Sequence, residues 1–95
     1  MAIGMYFNPP SMNAQQYDET IRRLEAAGQG SPRGRQYHVC FGTGDKLQVF
    51  DVWESQESFE AFGRTLMPLL QELGLSAGEP TAEPVHNVIL GEHHH

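Results

Sequence analysis

The chain has 95 residues, a single cysteine and a formal net charge of −6 at pH 7. That length fits one small domain, with much of its surface outside any core. The acidic balance argues against a nucleic-acid backbone as ligand, and the lone Cys40 excludes an internal disulfide and a Cys-based zinc site. No stretch approaches the ~20 apolar residues of a membrane helix, and no charged, apolar leader opens the chain, so a cytoplasmic protein is expected. Residues 1–91 are expected to form the domain, and residues 92–95 read as the remnant of an expression tag. This leaves His38 and His86 as the internal histidines. Arg22, Arg23, Arg33 and Arg35 gather four of the six basic residues in one region. Such charges read first as solvated surface, with an anion contact as the sharper alternative.

The segment "AIGMYFN", residues 2–8, is apolar and stops at Pro9-Pro10, where proline has no N–H to continue a ladder. Helix signals follow in "NAQQYDETIRRLEAAG". Asn13 is a cap with Gln16 as its capping-box partner, Ser11 being the rival cap. Tyr17, Ile21 and Leu24 share one face, and Gly28 ends the run. "GQGSPRG" is a loop by composition.

Two β-branched and aromatic runs, "RQYHVCF" and "KLQVFDVW", flank the hairpin signal "GTGD". Ser55 caps a second helix, with Glu57 complementing its dipole. Phe59, Phe62, Leu66, Leu69 or Leu70, and Leu73 form its apolar stripe. Pro68 predicts a kink or restart, and Gly74 closes the element. "EPVHNVIL" is the expected last strand, with Pro84 demanding an edge position.

The order β-α-β-β-α-β, folded with right-handed crossovers into one sheet, is the ferredoxin-like α+β layout with antiparallel strand order 4-1-3-2. Both helices then cover the same face. Yet the strands are apolar on both sides: Ile3, Met5 and Phe7 oppose Ala2 and Tyr6, Leu47, Val49 and Trp53 oppose Phe50 and Val52, and Val85 and Ile89 oppose Val88 and Leu90. A medium or large apolar side chain left in water forgoes roughly 1.5–3 kcal/mol. The second face is therefore expected to pack on another copy, as a homodimer.

In this frame, "VWESQESFEAF" (a strand-end Trp, a capping Ser and two helix Phe residues) and the later "VHN" resemble the dimeric α+β-barrel superfamily. That group includes antibiotic-biosynthesis-type monooxygenases, haem-degrading enzymes and small isomerases. The resemblance runs from about Ile3 to Leu90. It implies a dimer with a pocket between each sheet and its helices. Haem-degrading members use an Asn on the first strand, a Trp on the second helix and a His soon after. Asn8 stands in for the first, but Phe62 occupies the Trp place and no His lies between Val52 and Pro84, which disfavours haem. The resemblance otherwise implies a cofactor-independent monooxygenase or isomerase acting on a small aromatic or polyketide-like molecule. The alternative is a non-catalytic ligand-binding or stress-related dimeric module.

His38 and Asp51 are polar residues inside otherwise apolar strands. A two-residue turn at Thr43-Gly44 would pair Cys40 with Leu47, His38 with Val49 and Gln36 with Asp51, placing His38, Asp51 and Trp53 on one face. A three-residue turn would separate them. Together they suggest a catalytic pair, the carboxylate orienting an imidazole that removes a proton from an acidic phenol or α-carbonyl substrate. The plainer reading is a buried His bonded to a carboxylate, or a residue at the sheet edge or dimer interface. Tyr6, Asn8, Trp53 and His86 are candidates for ligand contact, and Tyr17 and Tyr37 for pocket lining or core. Neither an H-x-H nor an H-x-x-x-H spacing occurs, so no metal is expected, and no cofactor either.

Overall fold

The computed structural model describes residues 1–91, so the tag expected at 92–95 lies outside it. Six elements follow in the order β1 (Ile3–Phe7), α1 (Ala14–Ala26), β2 (Arg35–Phe41), β3 (Gln48–Trp53), α2 (Gln56–Glu72) and β4 (Thr81–Pro84). The four strands form one antiparallel sheet ordered β2-β3-β1-β4, the ferredoxin-like arrangement expected from the sequence.

Local chemistry places the helices. Asn13 caps α1 by accepting from the Gln16 N–H, and the Gln16 side chain accepts from the Asn13 N–H in return. Ser55 accepts from the Ser58 N–H at the start of α2, where Glu57 meets the positive end of the dipole. Of the kink or restart expected at Pro68, the restart does not occur: α2 runs through it to Glu72. Pro68 is exposed, so the carbonyl one turn before it loses a helical donor where water can replace it, while Leu69 and Leu70 remain buried and hold the last turns down.

Both helices cover the same face. Met5 and Phe7 of β1 and Trp53 of β3 pack with Leu24 of α1 and Phe62 and Leu69 of α2 in one buried cluster. Trp53 is fully buried, its ring 5.6 Å from Phe59 and 5.2 Å from Phe62. The opposite face is bare. There Tyr37 and Phe41 remain 47% and 43% exposed, beside half-buried Tyr6, Val39 and Phe50.

Two registers differ from expectation. The β2–β3 hairpin pairs Cys40 with Val49, His38 with Asp51 and Phe41 with Gln48, a displacement of two residues from the two-residue turn. The connection is lengthened because Met12 laces into it: its N–H donates to the Asp45 carbonyl at 2.8 Å and its own carbonyl accepts from Leu47 at 3.1 Å. A shift of two keeps the side-chain parity. The last strand also lies earlier than "EPVHNVIL", pairing Tyr6 with Thr81 and Ile3 with Pro84, with a final bond from the Val85 N–H to the Ala2 carbonyl at 2.9 Å. β4 is an edge strand, as Pro84 requires, but Pro84 ends it. Beyond Val85 the chain has passed the start of β1, and Val88, Ile89 and Leu90 are exposed.

Because Phe62 joins both helices' packing to Trp53, Phe62→Ala should lower unfolding free energy by about 3–5 kcal/mol, measured by denaturant titration. A loss under about 1 kcal/mol would mean that α2 is not the wall of this core.

Candidate functional site

Asp51 is the sheet's buried carboxylate, 3% exposed in the middle of β3. A charge there must be met by donors, since an isolated one is too costly to bury. Two donors are supplied by the sheet itself. The Trp53 indole N–H, two residues along the same face, reaches one carboxylate oxygen at 3.3 Å. Nδ1 of His38, directly opposite across the β2–β3 ladder, lies 2.6 Å from the other.

The imidazole is engaged at its far end as well. The Tyr17 hydroxyl, from the first turn of α1, lies 2.6 Å from His38 Nε2, with the two rings within 9° of parallel. Burial, the largest cause, together with negative charge at Cys40, Asp51 and Asp18, raises Tyr17 above the ordinary 10.0 against the opposing pull of Arg35. The phenol is therefore the donor, Nε2 accepts, and Nδ1–H donates to Asp51. Trp53, Asp51, His38 and Tyr17 form a hydrogen-bonded chain from the core to the surface of a cavity.

That cavity lies between the sheet and the helices, with a volume of about 70 Å³. Its polar lining comes from Tyr17, Thr20, Arg35, His38 and Asp51, and the rest is apolar, including Phe7, Phe62 and Leu66. The loops contribute Pro9, Met12 and Ala77. Cys40 on the same strand is a thiol raised by burial and by Asp18, hence a neutral side chain at physiological pH.

His38 and Asp51 thus meet at the cavity. The four expected ligand contacts do not gather there: Trp53 lies in the core beneath Asp51, and Asn8 is exposed past the end of β1. Tyr6 bonds Gln48 on the bare face, and His86 is exposed beyond β4. Tyr17, Thr20 and Arg35 are the cavity's additional polar groups. Tyr17 carried a signal, sharing the core stripe of α1 with Ile21 and Leu24 while bearing a hydroxyl. Arg35 carried only its membership of the basic region, where an anion contact was the sharper alternative to solvated surface. Among the described residues no three His, Cys, Asp or Glu side chains converge as metal ligands, and no helix is long and apolar enough to cross a membrane.

No family model and no curated protein matches the sequence. Solved structures do match. SnoaB, a cofactor-independent oxygenase from Streptomyces nogalater, superposes with a TM-score of 0.64 at 17% identity, over 93% of this chain and 96% of that one. A candidate antibiotic biosynthesis monooxygenase from Chloroflexus aurantiacus gives 0.58 at 18% identity, over 99% and 98%. A protein of unknown function from Nitrosomonas europaea gives 0.60 at 12% identity, over 97% and 96%. At these identities the likeness is one of fold: the chain has the ferredoxin-like fold of the antibiotic-biosynthesis-monooxygenase-like α+β-barrel proteins.

The raised Tyr17 has a sign that can be checked. Above pH 10 the unfolded chain releases this proton while the folded one keeps it, so stability falls as pH rises through the folded value. The difference in phenolate absorbance between wild type and Tyr17→Phe isolates this residue. Its midpoint should lie above the ordinary 10.0. The variant should also lose less stability than wild type over that range; a midpoint at or below the ordinary value would contradict the buried donor.

Proposed function

We propose that this chain, with the fold of the antibiotic-biosynthesis-monooxygenase-like proteins, is a small cofactor-independent enzyme of the monooxygenase or isomerase kind. Its substrate is a small phenol or enolisable carbonyl compound. The observation that carries this reading is the Tyr17–His38–Asp51 chain, all three members of which line one largely apolar cavity. A histidine buried only for packing has no need of a second titratable partner that itself lines a cavity.

In this reading Tyr17 is the contact group and His38 the reservoir. A substrate hydroxyl or α-carbon passes its proton to Tyr17 Oη as the tyrosine's own proton crosses the 2.6 Å hydrogen bond to His38 Nε2. The imidazolium is stabilised by Asp51, which the Trp53 N–H holds in place. Tyr17 stays protonated at rest and gives its proton up only in concert with receiving another. In the isomerase reading, the proton returns to a different atom of the substrate. In the monooxygenase reading, the substrate anion reacts with dioxygen. One oxygen atom replaces hydrogen on the ring as a carbonyl, and the other leaves as water with two substrate hydrogens.

Size limits the substrate. An apolar cavity of roughly 150 Å³ admits benzene, whereas this one has about 70 Å³. A compact molecule fits directly, and a benzene-sized ring requires the loop wall at Pro9, Met12 and Ala77 to move. A polycyclic substrate would need a larger opening still.

Assembly belongs to the same proposal. The bare face presents Tyr37 and Phe41, and the apolar run Val88–Leu90 projects beyond β4 without a partner strand among the described residues. Covering both surfaces with a second copy recovers burial that one chain cannot supply. The protein is then a homodimer, and light scattering at micromolar concentration should give twice the chain mass. A monomer would refute this.

For the activity, small phenols and 1,3-dicarbonyl compounds serve as substrates, with oxygen uptake and solvent-deuterium incorporation as readouts. Wild type should accelerate one or both, and Tyr17→Phe and His38→Gln should each lower the rate about a hundredfold or more. Binding of these compounds without turnover by wild type would instead support the ligand-binding module.

A further inference from the structure

Arg35 differs from Arg22 and Arg23 of the basic region. Arg22 and Arg23 pair with Glu19 on the exposed side of α1, whereas among the described residues Arg35 has no carboxylate partner. Its position results from an irregularity in β2. Tyr37 pairs with Val52 and points to the bare face, and strict alternation would send Arg35 there too. The register shifts between them, and Arg35 is set opposite Trp53 on the helix side. A bulge re-aims a side chain in this way.

The approach to the bulge is tightly fitted. Gly34 has φ 90°, and a Cβ there would fall 2.5 Å from the Ser58 side chain. Its carbonyl accepts from the Glu54 N–H at 2.8 Å. The start of β2 is thereby held against the strand end and first turn of α2, which fixes where Arg35 emerges.

Arg35 emerges at the cavity that also receives Tyr17, His38 and Asp51. A guanidinium has five N–H donors. One of them reaches the Gly30 carbonyl at 3.3 Å, and the group lies 5.9 Å from the centre of the Phe62 ring. The remaining donors form a planar fork suited to paired oxygens. Arg35 is half-buried, and among the described residues no carboxylate lies within ion-pair distance of it, although Asp51 lines the same cavity.

We propose that Arg35 makes the cavity selective for oxyanions. The ligand is a compact molecule whose carboxylate, enolate or phenolate oxygen meets the guanidinium while its apolar part lies against Phe7, Leu66 and Leu70. This rests on the cavity being the ligand site, as in the reading above, and is independent of proton removal. In turnover the same contact would hold the anion that Tyr17 and His38 create. The bulge that turns Arg35 inward is then part of the site.

Butyrate and butyramide, alike in shape and different in charge, test this by NMR titration of the Trp53 indole and His38 ring signals. Wild type should prefer butyrate by about tenfold or more. Arg35→Gln should abolish the preference with its thermal unfolding unchanged, and Arg35→Lys should keep part of it. Should Arg35→Gln not fold, the wild-type and Arg35→Lys preferences decide. Equal affinities in wild type, a preference that survives Arg35→Gln, or binding of neither compound would overturn the proposal. Because no turnover is read, a selective but inert protein would sink the enzyme reading alone. Turnover without selectivity would sink only the anion site.

Discussion

A carboxylate buried in the middle of a β-sheet is tolerated only where donors are fixed around it. In this protein Asp51 has that place, and its two donors come from the sheet's own register. Trp53 lies on the same face two residues on, and His38 faces Asp51 across the ladder. A slip of one residue in the β2–β3 pairing would turn His38 to the bare face and leave the charge short of a partner. The pairing, the core around Trp53 and the orientation of the imidazole are therefore one arrangement. Leaving a buried polar group without its hydrogen-bond partner costs about 1–3 kcal/mol in general and more for a charged one, a magnitude that ties the register to the stability of a small domain.

The two faces of the sheet divide their roles. The helix side carries the core and, beside it, the cavity with its Tyr17–His38–Asp51 chain and Arg35. The bare side carries aromatic and β-branched groups and, among the described residues, no polar chain of comparable length. The helices are set by ordinary caps at Asn13 and Ser55. Their placement brings Tyr17 over β2 and Phe62 against both Trp53 and the Arg35 guanidinium. The site is thus built on rigid elements on three sides, with loops only at Pro9, Met12 and Ala77.

How much of this was legible in the sequence depended on whether a feature is local. Strand and helix order, both caps and the apolar stripe of α2 follow from spacing and residue type alone. The meeting of His38 and Asp51 was legible conditionally, because side-chain parity has a period of two. The real hairpin connection is longer than a two-residue turn, but by an even number of residues on the pairing, so the two side chains still share a face. Other features depend on distant contacts. Met12 sets the hairpin length from outside it, and the passing of β1 ends β4 at Pro84. Pro68 sits within α2 because exposure of the turn and burial of Leu69 and Leu70 outweigh the lost bond. The basic region raised an anion contact at Arg35, but its place beside the cavity was illegible: alternation assigns it to the wrong face, and only the bulge after it reverses that.

The central claim is that Tyr17 donates to His38 and His38 donates to Asp51, so that the imidazole holds its proton on Nδ1 and offers Nε2 as the acceptor. Nitrogen-15 NMR of the His38 ring at neutral pH measures this tautomer directly. Wild type should show a protonated Nδ1 and a bare Nε2. A proton resident on Nε2 with a bare Nδ1 would contradict it, because Asp51 would then keep only its Trp53 donor and Tyr17 would lose its path for a proton.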